Sequence, residues 1–366
     1  LPNDRTAQSE GPSPFPPAEA GAGSSTRGHG ERSVSPATLE LRNVSKRYPG
    51  QREPAIAELS FSVGAGEVCV LVGPSGSGKT TAMRLINRMI ALTSGDILLG
   101  GRSVLEREPH ELRREIGYVI QQIGLFPHQT VTDNIATVPR LLGWDKSRTT
   151  SRVEELLELI GMDPREIGPR YPAQLSGGQR QRVGVARALA ADPPLMLMDE
   201  PFGAIDPINR HRLQDEFLRL QAQVRKTVVF VTHDIDEAIK MGDKIAILRQ
   251  GGHLAQYDTP AEILTNPADE FVAEFVGADR ALKRLGLTTL QDIELAAPNG
   301  IEPDGQPLKL TTTVRDALSR VLAAGGRPQA VVDDNGKVEG LVTLELVGGL
   351  LGSDAFEHPD HSEPAP

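Results

Sequence analysis

The chain has 366 residues, 39% of them hydrophobic and 24% charged, which is enough to bury the cores of two or three domains. Its formal net charge of -10 argues against a nucleic-acid-binding surface, because phosphate backbones are held by an excess of Lys and Arg. No uncharged apolar run approaches the roughly 18 residues of a membrane span, and the first residues lack the basic start and apolar core of a signal peptide. The single cysteine, Cys69, permits no disulfide within the chain and suits a cytoplasmic setting.

Residues 1–37 are rich in Pro, Gly, Ser and Ala without apolar periodicity, and read as a disordered tail. Two strand-like runs, 39–44 and 56–63, flank the turn-prone Tyr48-Pro49-Gly50. The apolar run 68–72 is of buried-strand type and leads into Gly73, Pro74, Ser75, Gly76, Ser77, Gly78, Lys79 and Thr80. That stretch fits the phosphate-loop template G-x-x-x-x-G-K-[ST] at every fixed position. Met83, Ile86 and Ile90 follow at helical spacing, so the loop lies between a strand and a helix, the context the template requires. Glycines let the backbone wrap an anion, and the free N–H groups of the helix start point at it. Lys79 is placed to reach the β- and γ-phosphates of a bound nucleotide and the Thr80 hydroxyl to ligate Mg²⁺.

Further strands are expected at 95–99 and 116–120, the second followed by Gln121 and Gln122. A helix over 145–161 carries Val153, Leu156, Leu157 and Ile160 on one face. Leu175-Ser176-Gly177-Gly178-Gln179 then leads into the helix former 180–191, and a Ser-Gly-Gly turn at a helix start is an anion site of low specificity by itself. Residues 195–198 form an apolar strand that ends in Asp199-Glu200. Neighbouring strand residues point different ways, so Asp199 can hold Mg²⁺ while Glu200 polarises an attacking water. A helix over 207–224 and a strand over 227–231 come next, the strand ending at Thr232-His233. Strand tips on one side of an α/β sheet converge on the ligand, which draws His233 toward the same site. Strand 244–248, run 253–257 and the capping box Thr259-Pro260-Ala261-Glu262 close this part of the chain. Residues 271–285 read as one helix. A small unit over 287–352 carries a helical Val314, Leu318, Val321 and Leu322 stripe and a hairpin around Asp333-Asp334-Asn335-Gly336.

In their order, the phosphate loop, Leu175–Gln179, Asp199-Glu200 and His233 resemble the nucleotide-binding subunit of an ABC transporter. The stretches 116–128, 199–209, 232–239 and 275–282 are similar to the importers of quaternary amines such as glycine betaine, choline, carnitine and proline. The resemblance implies an α/β P-loop NTPase fold with a RecA-like core, an antiparallel β subdomain and a helical subdomain, plus a small C-terminal CBS-like α/β unit. The boundaries expected are 1–37 disordered tail, 38–274 ABC ATPase domain, 275–286 helical linker, 287–352 CBS-like unit (single or an incomplete pair) and 353–366 disordered acidic tail. It further implies an ATP- and Mg²⁺-dependent ATPase, with Tyr48 stacking on adenine and residues from Gly73 to Thr81 holding phosphates and Mg²⁺. Gln121 would sense Mg²⁺ and the attacking water, and Ser176, Gly177 and Gly178, within the motif ending at Gln179, would bind the γ-phosphate of a partner subunit's nucleotide. Asp206 would sit at the dimer seam, and His233 would contact the γ-phosphate and orient Glu200. Ile205 stands where the family's seam motif has Leu. The implied partners are a second copy set head to tail, membrane permease subunits and an extracytoplasmic substrate-binding protein, at the cytoplasmic face of the membrane, with no nucleic acid. An ABC ATPase of another importer, a soluble ABC ATPase outside transport, and a module that binds ATP without turning it over share these motifs.

Overall fold

The computed structural model describes residues 35–120, 124–203, 205–297 and 306–352. Strands β1 (Leu39–Lys46) and β2 (Ile56–Val63) pair antiparallel around the Tyr48-Pro49-Gly50 turn. After β3 (Val68–Val72), strands β4 (Ser94–Leu99) and β5 (Arg102–Ser103) return to that first sheet, whose order is β2-β1-β4-β5. The central sheet adds β6 (Ile116–Val119), β7 (Leu195–Asp199), β8 (Thr227–Val231), β9 (Lys244–Leu248) and β10 (Leu254–Asp258) to β3. Its order is β10-β9-β3-β8-β7-β6, parallel throughout except for β10 at the edge.

Both faces of the central sheet are buried, which is why its strands read as continuous apolar runs. The pleat sends alternate residues to opposite faces. Val70, Met198 and Phe230 join Leu156, Val183 and Ile135 of the helical half in one core. Leu71, Leu197 and Val229 join Leu41, Phe61 and Met83 in a second core, between the central sheet and the antiparallel one. The helix after the phosphate loop, Lys79–Ile86, belongs to that second core and stops at Ile86. Arg88 takes a left-handed φ of 47°, so Ile90, expected on the same helix, lies beyond its end. Ala37, expected in the tail, is tied in: its N–H donates to the Pro194 carbonyl and its carbonyl accepts from Thr227 Oγ1 at 2.7 Å.

The single helix expected over 271–285 is two, Glu270–Val276 and Arg280–Arg284. Gly277 breaks them at φ 98°, a conformation that L side chains rarely adopt. Lys283 then folds the second piece back, donating to the Val276 carbonyl at 2.7 Å and pairing with Asp236 and Asp279 at 3.1 Å each. Beyond it, β11 (Leu308–Lys309), β12 (Gln329–Val332) and β13 (Val338–Val342) form a third sheet in that order, with helices Val314–Ala323 and Leu344–Gly352. Its core gathers Leu290, Val314, Ala317, Val321, Val331 and Val342 around Leu285. Leu322, expected on the buried stripe, is 59% exposed, because the stripe runs through Val314, Ala317 and Val321 and Leu322 falls a residue to the side of it.

Candidate functional site

Adjacent parallel strands end on the same side, and here β3, β8 and β7 end side by side. The phosphate loop leaves β3, Thr232-His233 leaves β8 and Asp199-Glu200 leaves β7. They enclose a cavity of about 480 Å³ lined by Ser75, Gly76, Gly78, Lys79, Thr80, Thr81, Glu200 and His233.

The loop can be close-packed only because of its glycines. Gly73 has φ 152°, and a Cβ there would lie 2.2 Å from the Leu248 carbonyl oxygen. Gly78, at φ 89°, caps the following helix, and a Cβ would meet the Ala55 carbonyl at 2.5 Å. The Lys79 side chain is buried, and its ammonium donates to the carbonyls of Gly73 at 2.7 Å and Pro74 at 2.9 Å. Burial lowers its affinity for a proton, with Glu200 and Asp199 opposing that shift. Thr80 Oγ1 donates to Asp199 Oδ1 at 3.3 Å. Burial pushes the Asp199 carboxyl above its ordinary range, and the Thr80 hydrogen bond opposes this.

Asp199 is the last residue of β7, whereas Glu200 has already left strand geometry with φ 43°. The two acids are therefore separated by a bend with a left-handed φ, and not by the strand alternation expected. Left-handed non-glycine residues are concentrated at functional sites, where the surroundings hold them. Here the Glu200 N–H donates to the Val231 carbonyl of β8 at 2.9 Å. Its carboxylate Oε1 lies 3.3 Å from His233 Nδ1, so the histidine and the glutamate, expected to meet, do so.

Ser176 caps the helix Gly177–Leu189, its Oγ accepting from Gln179 N–H while the Gln179 side chain accepts from Ser176 N–H at 2.8 Å. Ser176 and Gly177 are exposed, and none of Ser176, Gly177, Gly178 and Gln179 lines the cavity of their own chain. Asp206 is exposed, just before the helix Pro207–Val224. Tyr48 lies half-buried in the β1–β2 turn, with Lys46 Nζ 5.1 Å from its ring centre. Gln121 lies outside the described residues. One residue that the sequence reading passed over is Gln181, a buried amide on the inner stripe of the helix Gly177–Leu189. A polar residue on the otherwise apolar Val183–Ala186 side of that helix is the signal that marks it.

A glycine cradle, a buried ammonium and a hydroxyl–carboxylate pair at one cavity suit a nucleoside triphosphate. Among the described residues no group of three or more His, Cys, Asp and Glu could hold a metal. A cation here would take the Thr80 hydroxyl, Asp199 and oxygens of the ligand itself, the usual donor set of Mg²⁺ at phosphate sites. Fold and site together define a P-loop NTPase.

The ABC transporter family profile matches residues 56–203. Over 325 residues the chain is 48% identical to the osmoprotectant import ATP-binding protein OsmV of Salmonella typhimurium, covering 88% of this chain and 83% of that one. It is 47% identical over 311 residues to the choline transport ATP-binding protein OpuBA of Bacillus subtilis, covering 84% and 79%. A solved dimeric ATP-binding cassette in a post-hydrolysis state, bound to ADP and Pi, superposes with a TM-score of 0.53 at 32% identity, covering 61% of this chain and 98% of that one. The chain belongs to the family of ABC transporter ATP-binding subunits that includes these import proteins.

Proposed function

We propose that the chain is the ATP-hydrolysing subunit of an importer for quaternary-amine osmoprotectants, and that two copies work head to tail around two nucleotides. The substrate class follows from relatives that import osmoprotectants, choline and carnitine. One observation supports the pairing: the turn Ser176-Gly177-Gly178, with Ser176 and Gly177 exposed, does not line the cavity of its own chain. A second copy reverses this, supplying its turn to the open side of the cavity. The turn's contacts with nucleotide then exist only in the closed pair, so ATP favours closure by its differential contacts.

Within each site the loop from Gly73 to Thr81 binds the phosphates and Tyr48 the adenine. Lys79 exchanges its carbonyl partners for phosphate oxygens. Glu200 polarises the attacking water, and His233 orients Glu200 and meets the γ-phosphate. Thr80, Asp199 and Gln121 would hold Mg²⁺, and the ion would supply charge to offset that of the phosphates. Asp206 lies at the seam between copies. Glu200→Gln is expected to bind ATP, to release phosphate about 100-fold more slowly or worse, and to elute as a dimer with ATP in size-exclusion chromatography. Turnover close to that of the unsubstituted chain would remove Glu200 from this role.

No helix among the described residues is long and apolar enough to cross a membrane, and the channel is assigned to permease subunits at whose cytoplasmic face this subunit sits. An extracytoplasmic binding protein delivers substrate to the same complex. The docking surface proposed runs from Gln121 to Thr130. There Phe126, 39% exposed, sits 6.0 Å from the His128 ring and 5.8 Å from the Arg187 guanidinium. The 287–352 unit is read as CBS-like, a single repeat or an incomplete pair.

A further inference from the structure

The backbone around Glu200 is held by two backbone hydrogen bonds and by one side chain with no role in the proposed hydrolysis. Gln181 is 3% exposed, and its amide donates to the carbonyl of Pro201, directly after Glu200. The Glu200 N–H donates to the Val231 carbonyl at 2.9 Å, and its own carbonyl accepts from Gly203 N–H at 3.1 Å. Glu200 thus sits at its left-handed φ with hydrogen bonds on both sides. One of the three leads into the helix that begins at the Ser176-Gly177-Gly178 turn. On the far side of the same loop, Arg210 Nη2 donates to the Ile205 carbonyl at 3.1 Å, and Nη1 lies 3.7 Å from the carboxylate of Asp234, next to His233.

We infer that Gln181 is a positioning residue that transmits the placement of the Ser176-Gly177-Gly178 turn to Glu200 of the same chain. A hydrogen-bonded helix moves as a body, so a shift of its N-terminus carries Gln181, and through the Pro201 carbonyl the chain that follows the left-handed Glu200. The inference rests on the head-to-tail reading, in which the turn and Glu200 of one chain serve different nucleotides. Gln181 then links the two sites of the pair: nucleotide engaged by the turn in one site orients the base in the other.

The test is steady-state ATP hydrolysis by the full-length chain against ATP concentration, for the unsubstituted protein, Gln181→Met and Gln181→Glu. The unsubstituted chain should give a sigmoidal curve. Gln181→Met keeps the length and loses the donor. Its kcat should fall about tenfold and its Hill coefficient approach unity, while ATP affinity by equilibrium dialysis stays within about twofold. Gln181→Glu turns a carboxylate toward a carbonyl, and only its protonated form can donate, a form that burial favours. Its rate relative to the unsubstituted chain should therefore climb between about pH 8 and about pH 6, and that of Gln181→Met should not. Loss of rate in both variants with the Hill coefficient intact and no acid rescue would reduce Gln181 to packing and overturn the inference. If Gln181→Met does not fold, the acid trend of Gln181→Glu decides. A hyperbolic curve from a monomeric unsubstituted chain would overturn the paired reading and this inference together. A sigmoidal curve shared by all three proteins would overturn the inference alone.

Discussion

Asp199 and Lys79 feel each other's charge and have opposite problems. Burial holds the Asp199 carboxyl above its ordinary range and the Lys79 ammonium below its own. A group whose proton affinity rises on folding binds more protons folded than unfolded, so stability declines as pH rises through the interval between its unfolded and folded values. For Asp199 that interval begins at the ordinary carboxylate range and extends upward. Asp199→Asn removes the buried charge, while its Oδ1 can still accept from the Thr80 hydroxyl. The nucleotide-free variant is expected to melt a few degrees higher near neutral pH, with the gain shrinking as the medium is acidified. Hydrolysis should be lost as well, since Asp199 is proposed as a Mg²⁺ ligand. Melting curves across pH together with phosphate release check both halves, and a variant that melts lower at every pH would contradict the burial argument.

At the scale of elements, two helix starts show how local chemistry sets geometry. The reciprocal Ser176 and Gln179 cap fixes the direction in which the Gly177–Leu189 helix presents its first N–H groups. Ser176→Ala is expected to cost about 1 kcal/mol in denaturant unfolding, and to weaken nucleotide-dependent pairing before it weakens binding by the single chain, as measured by sedimentation and dialysis. The linker is a different case. The residues 271–285 are helical in character and basic at their end, which points to one helix. Gly277 at φ 98° and the three-way hold on Lys283 decided otherwise. Lys283→Met leaves the Val276 carbonyl and two carboxylates without their shared cation. Because Asp236 and Asp279 are more than half exposed, water screens much of that loss, and about 1–2 kcal/mol is expected from urea unfolding.

At the scale of the whole molecule, the sides of the central sheet divide the work. Its strand tips carry the nucleotide site, one core joins it to the helical half, and the other joins it to the antiparallel sheet. The helical half bears both the Ser176-Gly177-Gly178 turn and Arg187, whose guanidinium donates to the Gly124 carbonyl at 2.7 Å in the proposed docking surface. In the proposed reading, nucleotide and membrane partner therefore act on the same helix. His128→Glu beside Phe126 is expected to abolish co-purification with the permease and to leave ATP affinity within about twofold. A parallel loss of ATP binding would indicate misfolding instead of a lost contact.

Some of this was legible in the residues alone, for a physical reason. The Gly73-to-Thr80 loop, the Ser176-Gly177-Gly178 turn and the apolar run into Asp199-Glu200 each need particular residue types to satisfy their own backbone. Gly73 and Gly78 have no room for a Cβ, and a strand covered on both faces has no polar side to show. The strand order β3-β8-β7, which sets His233 within 3.3 Å of Glu200, is a crossover that no local period encodes. Nor does any period encode the left-handed Glu200 or the Gln181 hold on Pro201. Those contacts join segments far apart in the chain, and only the packing of the sheet against its helices brought them together.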